Sequence, residues 1–103
     1  MATVVRTEEN LELHLSFWEK VGSLHGDLKV PLANLEKSQK IENPWSKKVL
    51  KGIRAPGAGF PFIILLGTMR YKGGKDFTAI YKRKSVTIYE FKDYSFKRWI
   101  VTE

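Results

Sequence analysis

From residue 62 onward, turn-forming residues recur about every ten positions, and the stretches between them are β-branched and aromatic. That rhythm admits short strands joined by hairpins and leaves no room for a long helix. It predicts strands over 62–72, 76–82, 86–91 and 96–102, with Gly73-Gly74 as a hairpin turn and further turns at 83–85 and 92–95.

Upstream, Leu11, Leu13 and Leu15 alternate with Glu12, His14 and Ser16, the period-two pattern of a strand with one buried face. Leu28, Val30 and Leu32 alternate again. Pro31 pushes that strand toward a sheet edge, because it has no N–H to donate to a ladder. A third strand is expected over 35–41. Ser16 followed three positions later by Glu19 is a capping-box pattern, and it places Phe17, Val21 and Leu24 on one side of a short helix that ends at His25-Gly26-Asp27. The run from Asn43-Pro44 to Pro61, with Gly52, Gly57 and Gly59, reads as a long ordered loop, a type of segment often tied to function. The expectation is a single all-β domain over residues 1–103. It has seven antiparallel strands bent into a barrel or sandwich, and one short helix after strand one.

A chain of 103 residues supports one modest core. With 43% hydrophobic and 28% charged residues the composition is that of a globular protein. The absence of cysteine excludes disulfides and thiolate metal sites. The longest apolar run, Phe60 to Leu66, contains Pro61 and falls far short of the roughly 20 residues a spanning helix needs. Residues 1–20 carry four glutamates and no apolar stretch, unlike a targeting peptide, so the expected location is cytoplasmic.

The net charge of +7 is unevenly placed. Residues 1–27 hold two basic residues against five acidic ones, whereas the rest of the chain holds sixteen basic against six acidic. A basic body points to an anionic partner, such as phospholipid headgroups, an acidic protein surface or, less favoured, nucleic acid. In an up-and-down meander the connections at 17–27, 43–61 and 83–85 share one pole. That pole gathers Lys47, Lys48, Lys51, Arg54, Lys82, Arg83 and Lys84 as anion-binding residues, with Trp18 and Trp45 as interface aromatics. The competing reading of the same residues makes the indoles core and the lysines solvated. The competing function is single-stranded nucleic-acid binding, with Tyr71, Tyr81 and Tyr89 as stacking residues.

No pattern points to catalysis. His25 and Asp27 are more simply a helix end than a metal site, and Ser23, His25 and Asp27 lie too close in sequence to form a nucleophilic relay. The glycines from 52 to 59 match no phosphate-binding fingerprint. The chain is therefore expected to be no enzyme and to need neither metal nor cofactor.

The stretch Val30-Pro31-Leu32-Ala33-Asn34-Leu35-Glu36-Lys37 resembles the junction between early strands of bacterial pleckstrin-homology-like (PH-like) domains. Gly52-Ile53-Arg54-Ala55-Pro56-Gly57, Pro61, Gly67-Thr68 and Gly73-Gly74-Lys75-Asp76-Phe77 are similar to small bacterial proteins associated with that fold, and the resemblance covers residues 11 to 101. It implies a seven-stranded bent sheet, no catalytic residue, and an anionic ligand at the end formed by the first and third connections. Such domains close one barrel end with a C-terminal helix, for which this chain shows no pattern after the last strand. The expectation is that Phe17, Trp18, Val21 and Leu24 plug that end, or that a second subunit covers it through self-association.

Overall fold

Leu11 and Leu13 point inward from one strand, and Leu28 and Val30 from its neighbour, as their alternation requires. The computed structural model in which they do so describes residues 2–23, 25–45, 53–60 and 63–103, with 53–60 described by their backbone. In chain order the elements are β1 (Thr3–Arg6), β2 (Asn10–His14), α1 (Phe17–Ser23) and β3 (Leu28–Pro31), then a 3-10 turn over Leu32–Asn34. There follow β4 (Leu35–Ile41), β5 (Ile53–Phe60), β6 (Ile64–Tyr71), β7 (Gly74–Tyr81), β8 (Val86–Phe91) and β9 (Arg98–Thr102).

These strands form two sheets, a three-stranded one ordered β1-β2-β3 and a six-stranded one ordered β4-β8-β9-β7-β6-β5. The protein is mainly β, as the turn rhythm predicts, but the described residues contain nine strands rather than seven and the sheets do not close into a barrel. The two additional strands are β1, in a segment without alternation, and β5, which lies inside the expected loop. β5 tolerates Pro56 because it is an edge strand, where a missing N–H breaks no ladder. The meander is also corrected: β9 inserts between β8 and β7 and runs parallel to β7, pairing Phe77 with Trp99 and Ala79 with Val101.

The three-stranded sheet lays its leucines and Val30 on one face of the larger sheet, against Leu66, Phe77, Ala79, Phe91, Trp99 and Val101. Rings dominate that layer: Phe91 and Trp99 lie 4.8 Å apart and Phe77 and Phe96 5.9 Å apart, both edge to face. Each buried ring removes about 150–250 Å² from water, an upper-bound gain of roughly 4–6 kcal/mol. The opposite face carries Leu65, Met69, Ile80, Val86, Ile88 and Ile100, with Ile41 and Trp45 packed on them. Because both faces are covered, β7 and β9 are buried along almost their whole length, and their residues lose the polar alternation of a one-sided strand.

The sheet has two ends. At one, Ile64 pairs with Tyr81, and the β7–β8 turn follows. At the other, Tyr71 pairs with Gly74 across a tight turn in which Gly73 takes φ +101°, a left-handed value that suits glycine. Among the described residues, no helix is long and apolar enough to cross a membrane.

Candidate functional site

Ser16 and Glu19 build the start of α1 as a reciprocal cap. The Ser16 N–H donates to Glu19 Oε1 at 2.8 Å, and the Glu19 N–H donates to Ser16 Oγ at 3.3 Å. The second Glu19 oxygen accepts a short hydrogen bond from the Tyr81 hydroxyl, which ties the helix to the end of β7. Burial, and then the Glu19 carboxylate, hold the Tyr81 phenol well above the ordinary tyrosine range. Glu19 and Ser23, one turn apart, are each 1% exposed and form the inward face of the helix.

The outward face is apolar. Phe17 is 69% exposed, Trp18 76% and Val21 50%, with the Phe17 and Trp18 rings edge to face at 5.3 Å. Helices on soluble proteins turn the apolar stripe inward, so α1 is mounted inside out. The expected plug is therefore corrected: Phe17, Trp18 and Val21 fill no interior, and Leu24 lies outside the described residues. The physical reason is that Glu19 is held on one carboxylate oxygen by its own helix cap and on the other by Tyr81 beneath the helix, which fixes the side that faces down. Ile63, 60% exposed, adds a further apolar group at this end of the sheet, and its carbonyl accepts the Lys82 N–H at 2.7 Å.

Lys82, Arg83 and Lys84 form the β7–β8 turn immediately after Tyr81, and all three are exposed. Lys82 itself adopts φ 52°, a left-handed conformation that tightens the turn. The structure thus places three of the cations expected at the basic pole next to the strand end that anchors α1. Trp45 reaches the same turn from the other face of the sheet. Its indole Nε1–H donates to the Lys82 carbonyl at 2.6 Å, and its ring is half-buried against the second core cluster, so Trp45 serves as core. Of Trp18 and Trp45, only Trp18 is largely exposed. Lys47, Lys48 and Lys51 lie outside the described residues. Arg54 belongs to β5 and pairs with Met69, toward the far end of the sheet and away from the cationic turn, because β5 is a strand and not a loop.

Tyr81 and Tyr89 are committed inward. Tyr89 is buried in the core between the sheets, and its hydroxyl donates to Glu103 at 2.6 Å. Neither offers a ring face for base stacking. His14 pairs with Glu12 at 2.8 Å, while the His25 ring lies edge to face on Phe77 and Phe96. Asp27 accepts the Leu15 N–H at 2.7 Å and lies 4.0 Å from His14 Nδ1, His25 Nδ1 is 2.8 Å from the Gly26 carbonyl, and the buried Ser23 hydroxyl has no hydrogen-bond partner among the described residues, so Ser23, His25 and Asp27 form no relay there. Among the described residues, no group of three or more histidine, aspartate or glutamate side chains could hold a metal ion.

At the far end of the sheet a cleft of about 520 Å³ opens between the start of β4, the β6–β7 turn and the β8–β9 connection. Two of its lining residues, Arg98 and Tyr71, are tied to the buried Asp76: Arg98 donates through Nε at 3.0 Å and Nη2 at 2.6 Å to Asp76 Oδ2, and the Tyr71 hydroxyl donates to Asp76 Oδ1 at 2.8 Å. No residue pattern announced this network, because Asp76 and Arg98 come together through the parallel β7–β9 pairing. No protein-family model matches the chain, and comparisons with curated proteins and with solved structures find no match.

Proposed function

We propose that the protein is a non-catalytic binding module that docks on an anionic phospholipid surface through the outward face of α1 and the cationic β7–β8 turn. The observation that carries this reading is the inverted mounting of α1, which exposes Phe17, Trp18 and Val21 while Glu19 and Ser23 are buried. An apolar patch with aromatic rings beside Lys82, Arg83 and Lys84 has the composition of an interfacial membrane anchor, in which rings enter the headgroup layer and cations meet lipid phosphates. Lys47, Lys48 and Lys51, close in sequence to Trp45, add charge of the same sign. The PH-like resemblance places an anionic ligand at the end formed by the first and third connections, and α1 lies in one of these. A second copy of the chain is the less favoured occupant, since it would bring the same cations against themselves. Nucleic acid is less favoured too, because Tyr81 and Tyr89 are engaged inside the fold.

Each cation near an anionic leaflet contributes about 1 kcal/mol, so replacing Lys82, Arg83 and Lys84 by glutamine should weaken binding by about 3 kcal/mol, on the order of a hundredfold. Co-sedimentation with vesicles of phosphatidylserine and phosphatidylcholine tests this. Binding that requires the anionic lipid, falls with salt and is largely lost in the triple variant is the expected result. Equal sedimentation with pure phosphatidylcholine, or none with either, would refute it.

A further inference from the structure

The cleft at the far end of the sheet is independent of the α1 surface and has the features of a built pocket. Its volume falls in the range of about 300–1,000 Å³ typical of small-molecule sites. Its β8–β9 wall is held in place: the Asn34 side chain donates to the Lys92 and Asp93 carbonyls at 2.8 and 3.1 Å, and the Lys92 N–H returns a bond to the Asn34 carbonyl at 2.9 Å. The Lys97 N–H is fixed to the Lys75 carbonyl at 2.8 Å. The Lys97 stem lies across Gly74, so closely that a Cβ there would sit 2.6 Å from Lys97 Cγ. Arg98, which lines the cleft, is paired with the fully buried Asp76, and such buried pairs seldom add net stability over an apolar replacement, which leaves function as a reason for keeping one.

Charges of both signs line this pocket. Lys92, Lys97 and Arg98 share it with Glu36, Glu90 and Asp93, and Tyr71 and Tyr94 are among the lining residues. Glu90 is matched by Lys37 at 3.4 Å and Arg98 by Asp76, and what remains is still mixed. A purely anionic ligand would meet carboxylates, and a purely cationic one would meet ammonium groups. We infer that the cleft binds a small zwitterion of the amino-acid class, with its carboxylate met by Lys92 and Lys97, its ammonium by Glu36 and Asp93, and its apolar side chain beside Tyr71 and Tyr94.

L-phenylalanine, its amide, its N-acetyl derivative and its doubly capped N-acetyl amide separate the two charges. Calorimetry and amide chemical-shift mapping on the full chain should place the zwitterion at residues 92–98, and removal of either ligand charge should weaken binding about tenfold or more. Two exposed substitutions, Glu36→Lys and Lys97→Glu, avoid disturbing the core, and circular dichroism checks that each variant folds. Glu36→Lys should reduce the preference for the ligand ammonium, and Lys97→Glu the preference for its carboxylate. Equal affinity for the doubly capped compound, shifts that map elsewhere, or no shifts at all with any of the four probes would overturn the inference. None of these results depends on vesicle binding.

Discussion

Replacing Glu19 by alanine should be far more damaging than replacing its exposed neighbour Trp18. Glu19→Ala removes the acceptor of the Ser16 N–H, a capping loss of about 1 kcal/mol. It also leaves the part-buried Tyr81 hydroxyl without an acceptor, which costs about 1–3 kcal/mol. Together these amount to about 2–4 kcal/mol, a fall in Tm of roughly 10–25 °C for a domain of this size. Trp18→Ser deletes a ring that is 76% exposed and should change stability by no more than about 0.5 kcal/mol. Urea unfolding followed by fluorescence and circular dichroism measures both, and a double-mutant cycle with Tyr81→Phe isolates the Glu19–Tyr81 coupling. If Glu19→Ala costs less than about 1 kcal/mol while Trp18→Ser costs more, the helix is not mounted as described.

Asp76→Ala would leave the Arg98 guanidinium buried without its carboxylate, at about 3–5 kcal/mol, whereas the double variant Asp76→Leu/Arg98→Met should recover most of that loss; thermal denaturation compares the two. All four tyrosines have raised pKa values, with Tyr71 pushed up to about 12 by burial and then by Asp76. Phenolate absorbance near 295 nm should therefore appear later in the folded chain than in denaturant. The folded state keeps protons that the unfolded state gives up near pH 10, so this stabilisation is complete below pH 10; the Tyr71 share is lost as the pH rises through about 12, and the Tyr81 and Tyr89 shares higher still. Coincident titration curves for the folded and denatured chain would contradict it. Gly73→Ala forces a side chain onto φ +101° and should cost about 1–2 kcal/mol in a chemical-denaturation experiment, although the added methyl group meets nothing within 4 Å.

Local chemistry made part of this fold legible in the sequence. The Leu11–Leu13 alternation, the Ser16–Glu19 cap and the punctuated strands after residue 62 each rest on contacts between near neighbours, and each is present at the expected place. β5 was hidden because Pro56, Gly57 and Gly59 look like loop chemistry until the strand is known to occupy an edge. The insertion of β9 between β7 and β8 was hidden because parallel pairing is settled by long-range packing of Phe77 and Trp99, which local spacing does not encode. The orientation of α1 failed for a third reason. Phe17 and Val21 have the spacing of a buried face, and only the distant Tyr81 reveals that Glu19 takes that position instead. The candidate site was half visible: Lys82, Arg83, Lys84 and Trp18 stood out as basic and aromatic residues, while the exposure that gives them meaning depends on that one long-range hydrogen bond.

Quenching of tryptophan emission by brominated acyl chains in phosphatidylserine-containing vesicles tests the central claim most directly, because Trp99 is buried and Trp45 is half-buried in the core. The account predicts quenching in the unaltered chain, its loss in Trp18→Phe, and little quenching in vesicles of phosphatidylcholine alone. Quenching that survives Trp18→Phe, or that never occurs in anionic vesicles, would contradict a membrane-facing α1.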